Sequence, residues 1–205
     1  MTSTARIVRC LVLALTALPQ PAALLAQDAP ARPVIQFNGF SLVPPPSGWG
    51  SQRTPNGMVF GKIITEAADP RRQAPLQSFV LITTIERTDA RHLADAAAMD
   101  KFAHEELLAP ARNRRQSVVS AETSAFKLQG TDCIRFRTVI EEQPRDEVLV
   151  LSGAGIVCRH PEAQDRAVHA SYSERHPKTL AAKPTEAEVT VAEDVLRSIT
   201  FTPLK

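Results

Sequence analysis

Two cysteines, Cys133 and Cys158, constrain the fold of this chain more than any other feature. Each lies in a β-rich stretch, and the midpoint between them falls between Arg145 and Asp146. That point is inside Gln143-Pro-Arg-Asp-Glu147, a polar, Pro-containing segment of the kind that makes turns. An antiparallel hairpin with this turn sets Cys133 directly opposite Cys158. It also opposes Ile134 with Val157, Phe136 with Gly155, Thr138 with Gly153 and Ile140 with Leu151. The face away from the cysteines is then largely apolar, with a bulky ring over a glycine. Opposed residues have Cα atoms about 4.5 to 5.5 Å apart, within reach of a disulfide. The bond would close a loop of about 25 residues and contribute roughly 3 kcal/mol in the loop-entropy model. Free buried thiols and a metal site are the other readings.

The first 26 residues bear on which reading holds. Arg6 and Arg9 precede an apolar run at residues 11–18, Pro19 and Pro21 break it, and Ala23-Leu-Leu-Ala26 supplies a small residue for a cut. This is the pattern of a secretory signal peptide. The run is shorter than the roughly 20 residues that a membrane-spanning helix needs. The residue after Ala26 is Gln27, so a lipid-anchor cysteine is not in place. Cys10 lies before the run, which leaves Cys133 and Cys158 as the only thiols after cleavage. An exported chain with one cysteine pair is expected to be oxidised, in the periplasm or secreted.

The leader also accounts for the charge. The chain has 24 basic and 22 acidic side chains; without Arg6 and Arg9 the remainder is balanced at 22 against 22. Nucleic-acid binding, which calls for a clustered basic face, is not expected. Arg71-Arg72 and the Arg112, Arg114, Arg115 group read as solvated loop charge. Residues 27–33 read as a flexible N-terminal segment and residues 34–205 as a single globular domain.

Along that domain, residues 34–43 have strand character interrupted at Asn38-Gly39, and residues 44–48 form a turn before Trp49. Asn56-Gly57 marks a hairpin leading into a strand at residues 58–65. Residues 78–86 are apolar at alternate and intervening positions, as in a central strand covered on both sides. Thr88 or Asp89 caps a helix to about Ala109, with Leu93, Ala96, Met99, Phe102, Ala103 and Leu107 on one face. Strands are expected at residues 118–121, 124–129, 131–141, 147–159 and 167–174. Thr185 and Glu188 fit a capping box opening a helix at residues 186–198, with Val189, Ala192, Val195, Leu196 and Ile199 inward. Residues 200–203 form an extended tail. The order gives an α+β fold, a mostly antiparallel sheet covered by two helices.

Chemistry-bearing residues are sparse. Cys158-Arg-His160, with Cys133 opposite and His169 on the next strand, outlines a Cys2His2 grouping without zinc-motif spacing. No nucleophile elbow, zinc-protease helix or phosphate loop is present. Ser152-Gly-Ala-Gly155 lies mid-strand, where close packing explains it. Glu141-Glu142 point to opposite faces and read as turn charges. His92 and His104 read as surface histidines, Trp49 and Tyr172 as core or rim packing. A cleft joining His160, His169 and Ser171 or Tyr172 would signal an enzyme instead. The expectation is no catalytic residue, metal or cofactor.

The Phe-Ser-Leu-Val strand leading to Pro-Ser-Gly-Trp49, then Gly130-x-x-x-Ile-Arg-Phe136, the late strand with Tyr172 and the closing Val195-Leu-Arg-Ser-Ile-Thr-Phe201 form a familiar series. It resembles the PsbP-like and DcrB-like superfamily of exported α/β/α sandwich proteins. The resemblance implies an accessory, non-catalytic envelope role, binding a partner protein or small ligand not identified by any motif. It carries over no catalytic residue. The cysteine hairpin and the missing anchor cysteine depart from the DcrB-like pattern.

Overall fold

The computed structural model describes residues 32–67, 75–107, 116–143 and 147–205. The signal-peptide reading, the two arginine clusters and the turn centre at Arg145 and Asp146 lie outside those residues. Ten strands and two α-helices are described: β1 (Ile35–Gln36), β2 (Phe40–Leu42), β3 (Gly50–Thr54), β4 (Gly57–Thr65), β5 (Gln77–Arg87), α1 (Ala96–Phe102), β6 (Gln116–Leu128), β7 (Thr131–Glu142), β8 (Leu149–His160), β9 (Ala163–Pro177), α2 (Glu186–Ser198) and β10 (Thr200–Phe201). The architecture is α+β.

A seven-stranded antiparallel sheet runs β3-β4-β5-β9-β8-β7-β6, and a three-stranded sheet runs β1-β2-β10. In the β7–β8 hairpin, Cys133 opposes Cys158, Phe136 opposes Gly155 and Ile140 opposes Leu151, the register the turn position implies. Cys133 and Cys158 form a disulfide, with Cα atoms 4.1 Å apart and both side chains fully buried.

Because side chains alternate along a strand, the large sheet has two distinct faces. The cysteine face carries Phe79, Leu81, Ala154, Ile156, Val168, Ala170 and Tyr172. These pack with Ala192, Val195 and Leu196 of α2 and with Phe40 and Leu42 of β2. The opposite face carries Ile134, Phe136, Val157 and Ala167, which pack under Leu93, Met99 and Ala103, with Phe102 partly buried beside them.

Several expectations need correction. The cysteine face is covered by α2 together with the small sheet, not by a helix alone. The expected helix from Asp89 to Ala109 is broken. Asp89 caps a 3-10 turn at Ala90–Leu93, and Asp95, in extended backbone, caps α1 by accepting from Ala98 N–H at 2.8 Å. Past Phe102 the chain widens into a π turn. The second Asp is the cause, since an N-cap holds non-helical backbone while its side chain satisfies the next turn. The short α1 leaves much of its sheet face open, and β5 is covered on one side only: Ile82 is 39% exposed, and on the neighbouring β4 Ile63 is 54% exposed. The two strands expected at residues 118–121 and 124–129 are one strand, β6, whose irregularity falls between Val118 and Ser120. The capping box does not form. Thr185 donates instead to Glu174 Oε2 at 2.6 Å, and Glu188 takes Lys62 Nζ at 2.6 Å.

Candidate functional site

On the cysteine face, Val189 of α2 and strands β5 to β9 border a groove of about 360 Å³. Strand register lays out its floor in two rows. One row runs Glu122, Arg137, Ala154, Tyr172 across β6, β7, β8 and β9. The next runs Ser120, Val139, Ser152, Glu174 across the same strands. The small residues Ala154 and Ser152 sit on β8, between larger side chains on both neighbours. The floor is therefore a trough along β8. Val189 of α2 and Phe79 of β5 close the helix side.

The helix side of the trough is rigidly built. Tyr172 stacks on Phe79 with ring centroids 5.5 Å apart, and Trp49 meets Phe79 edge-on at 5.6 Å. The Tyr172 hydroxyl donates to Glu193 Oε1 of α2 at 3.0 Å. Burial, with the Glu193 carboxylate beside it, pushes the phenol up to about 12, against the opposing pull of Arg137 and Arg135. Glu174 accepts from the Gln77 amide at 2.7 Å on one oxygen and from Thr185 on the other. Gln77 itself is fully buried, giving to Lys183 O at 2.8 Å and accepting from Lys183 N–H at 2.9 Å.

The outer side differs. Arg135 and Arg137 are exposed, and neither has an ion pair among the described residues. Arg135 lies over the Phe126 ring, its guanidinium carbon 5.3 Å from the centroid. Arg137 stands directly opposite Glu122 in register without closing an ion pair to it.

The residues singled out in the sequence fall elsewhere. His160 is buried and structural. Its Nδ1 accepts from Glu162 N–H at 3.2 Å, which places the proton on Nε2, within 3.0 Å of Gly39 O and 3.1 Å of Thr202 O. One ring thus ties β8 to the turn before β2 and to the chain after β10. His169 opposes Val157 and lies on the face away from the cysteines, beside Phe136 at 5.7 Å. Burial lowers its pKa from 6.5, Glu86 acting the other way, and its Nε2 is buried with no partner among the described residues. Ser171 shares that face, whereas Tyr172 lies on the other. The Cys2His2 grouping and the His160, His169, Ser171 or Tyr172 cleft are therefore not assembled. Among the described residues no group of three or more His, Cys, Asp or Glu could hold a metal.

Glu141 pairs with Lys178 at 2.8 Å and Glu142 with Arg175 at 3.9 Å. His92 packs on Phe102 and His104 is exposed. Gly153 and Gly155 approach the β9 backbone closely, as the mid-strand reading requires. The groove itself was not anticipated. The hairpin register places Arg137 beside Ala154 and Val139 beside Ser152, yet only the position of α2 turns that array into a groove.

No protein-family model matches the chain, and no curated protein matches it in sequence. Among solved structures the chain is similar to LpqN, involved in cell envelope biogenesis of Mycobacterium tuberculosis: 17% identity, 83% of this chain and 90% of that one covered, TM-score 0.45. It is similar to PA94, a protein of unknown function from Pseudomonas aeruginosa, at 15% identity over 75% and 98% of the two chains, TM-score 0.34. It is also similar to the cyanobacterial PsbP of Synechocystis sp. PCC 6803, at 11% identity over 89% of this chain and all of that one, TM-score 0.44.

Proposed function

We propose that the chain is an exported envelope protein, periplasmic or secreted, that binds a partner or small ligand in the groove beside α2 without turning it over. Residues 1–26 act as a removable signal peptide, with residues 27–33 preceding the domain. The leader composition and the buried Cys133–Cys158 pair support export. The observation that carries the binding reading is the groove: a trough of about 360 Å³ with an aromatic wall, small residues along its floor and Arg137, without an ion pair among the described residues, at its outer side. The alternative, an exported hydrolase or metal enzyme on the late strands, is not favoured, because His169 and Ser171 lie on one face of the sheet and Tyr172 on the other, while His160 is held by backbone groups.

The test uses the apolar fluorophore phenylnaphthylamine on folded, oxidised protein. Binding at one site per chain is expected, and Ser152→Trp, which fills the trough from a half-buried position, should abolish it without lowering the melting temperature. No binding to the parent protein, or equal binding to the filled variant, overturns the groove as a binding site. Intact mass of protein recovered by osmotic shock checks export: a start near Gln27 is expected, and an uncut chain retained on membranes opposes it.

A further inference from the structure

We infer that the groove selects a small amphipathic anion: an aromatic or short acyl body carrying one carboxylate-like or sulfonate-like group. This rests on the groove being a binding site. The body is specified by the trough. Ser152 and Ala154 leave a channel between β7 and β9, which lie two strand spacings apart, about 9.6 Å. After side-chain thickness, that space suits a ring on edge or an alkyl chain. Phe79, Tyr172, Val139 and Val189 give it apolar walls.

The charge preference follows from which groups are already satisfied. Both Glu174 oxygens are engaged, by Gln77 and Thr185. Glu193 holds the Tyr172 hydroxyl. Those carboxylates are committed to anchoring α2. Arg137, which lines the groove, has no ion pair among the described residues. Glu122 is the remaining carboxylate at the groove, exposed on the edge strand β6. It stands on the far side of Arg137 from the trough and competes with a ligand for it. A planar guanidinium free to make paired hydrogen bonds is suited to a carboxylate or sulfonate.

The experiment compares two probes that share a body and differ in charge, phenylnaphthylamine and anilinonaphthalene sulfonate. The sulfonate should bind more tightly at the same single site, with Ser152→Trp blocking both. Arg137→Gln should weaken the sulfonate by about tenfold, the scale of one charge-assisted contact, and leave the neutral probe within about twofold. Glu122→Gln should tighten the sulfonate by about twofold to fivefold. Equal affinity for the two probes, or equal weakening of both by Arg137→Gln, overturns the anion preference while the groove stands. Failure of Ser152→Trp to block either probe overturns the groove and this inference with it. Matched melting temperatures exclude loss of fold in each variant.

Discussion

The ring of Phe136 lies against Gly155, its directly opposed residue across the β7–β8 hairpin. A Cβ built on Gly155 would sit 2.7 Å from Phe136 Cζ, 2.6 Å from Ser171 Cβ and 2.6 Å from Ala170 O. The last is backbone and cannot swing away. Gly155→Ala is therefore expected to lower stability by about 1–3 kcal/mol, the range for overpacking a core. Gly61, in the middle of β4, has nothing within 4 Å of such an atom. Gly61→Ala should be neutral or slightly stabilising, because it mainly restricts the unfolded chain. Urea unfolding of both variants checks the contrast, and equal losses would contradict it.

The Cys133–Cys158 bond joins neighbouring strands under α2, with no exposed surface on either cysteine. Exported, unreduced protein should show no titratable thiol in its folded domain. Cys158→Ala should cost about 2–5 kcal/mol and raise protease sensitivity, with no bound zinc to lose. Two free thiols in exported protein would remove both the bond and the strongest support for an oxidising compartment.

How much of this was legible in the sequence depends on the range of the interaction. The β7–β8 register follows from a turn segment and two side chains that had to meet, all within one hairpin. The limits of α2 likewise follow from its apolar spacing. The break before α1 required weighing Asp95 as a second cap against a continuous apolar stripe, and the stripe alone suggested one long helix. Thr185 and Glu188 matched a local capping pattern, yet Glu174 and Lys62, distant in the chain, took both side chains. The groove depended on the same kind of long-range fact, namely that Val189 of α2 borders the array laid out by β6 to β9.

His160 offers a test of the structural role that replaced its metal-site reading. With Nε2–H between Gly39 O and Thr202 O, and Nδ1 receiving Glu162 N–H, the ring serves three backbone groups from a site 1% exposed. His160→Ala would strip Thr202 O and Glu162 N–H of the ring and leave Gly39 O only its bond from Thr202 N–H, beside a cavity. A loss on the order of 3 kcal/mol is expected, with faster amide exchange at Thr202, whose N–H bonds Gly39 O. Unchanged exchange there would show that the ring does not hold the C-terminal strand.

His169 supplies a pH dependence whose sign is fixed by burial. Its imidazole is held below the usual 6.5 by desolvation, so the folded state keeps it neutral where the unfolded chain would take up a proton. Between those two values the unfolded state binds more protons, and stability rises with pH. The fold should therefore weaken as pH falls below 6.5, until the folded ring itself protonates. His169→Leu removes that titration, and it also removes a buried Nε2 that has no partner among the described residues. The variant should match the parent protein above pH 7 or exceed it slightly, then gain on it progressively through the acid range. Urea unfolding at a series of pH values measures the difference. A gap that stays constant with pH would mean that burial does not shift His169, and one that widens towards alkaline pH would mean that the folded protein holds it charged beside Glu86.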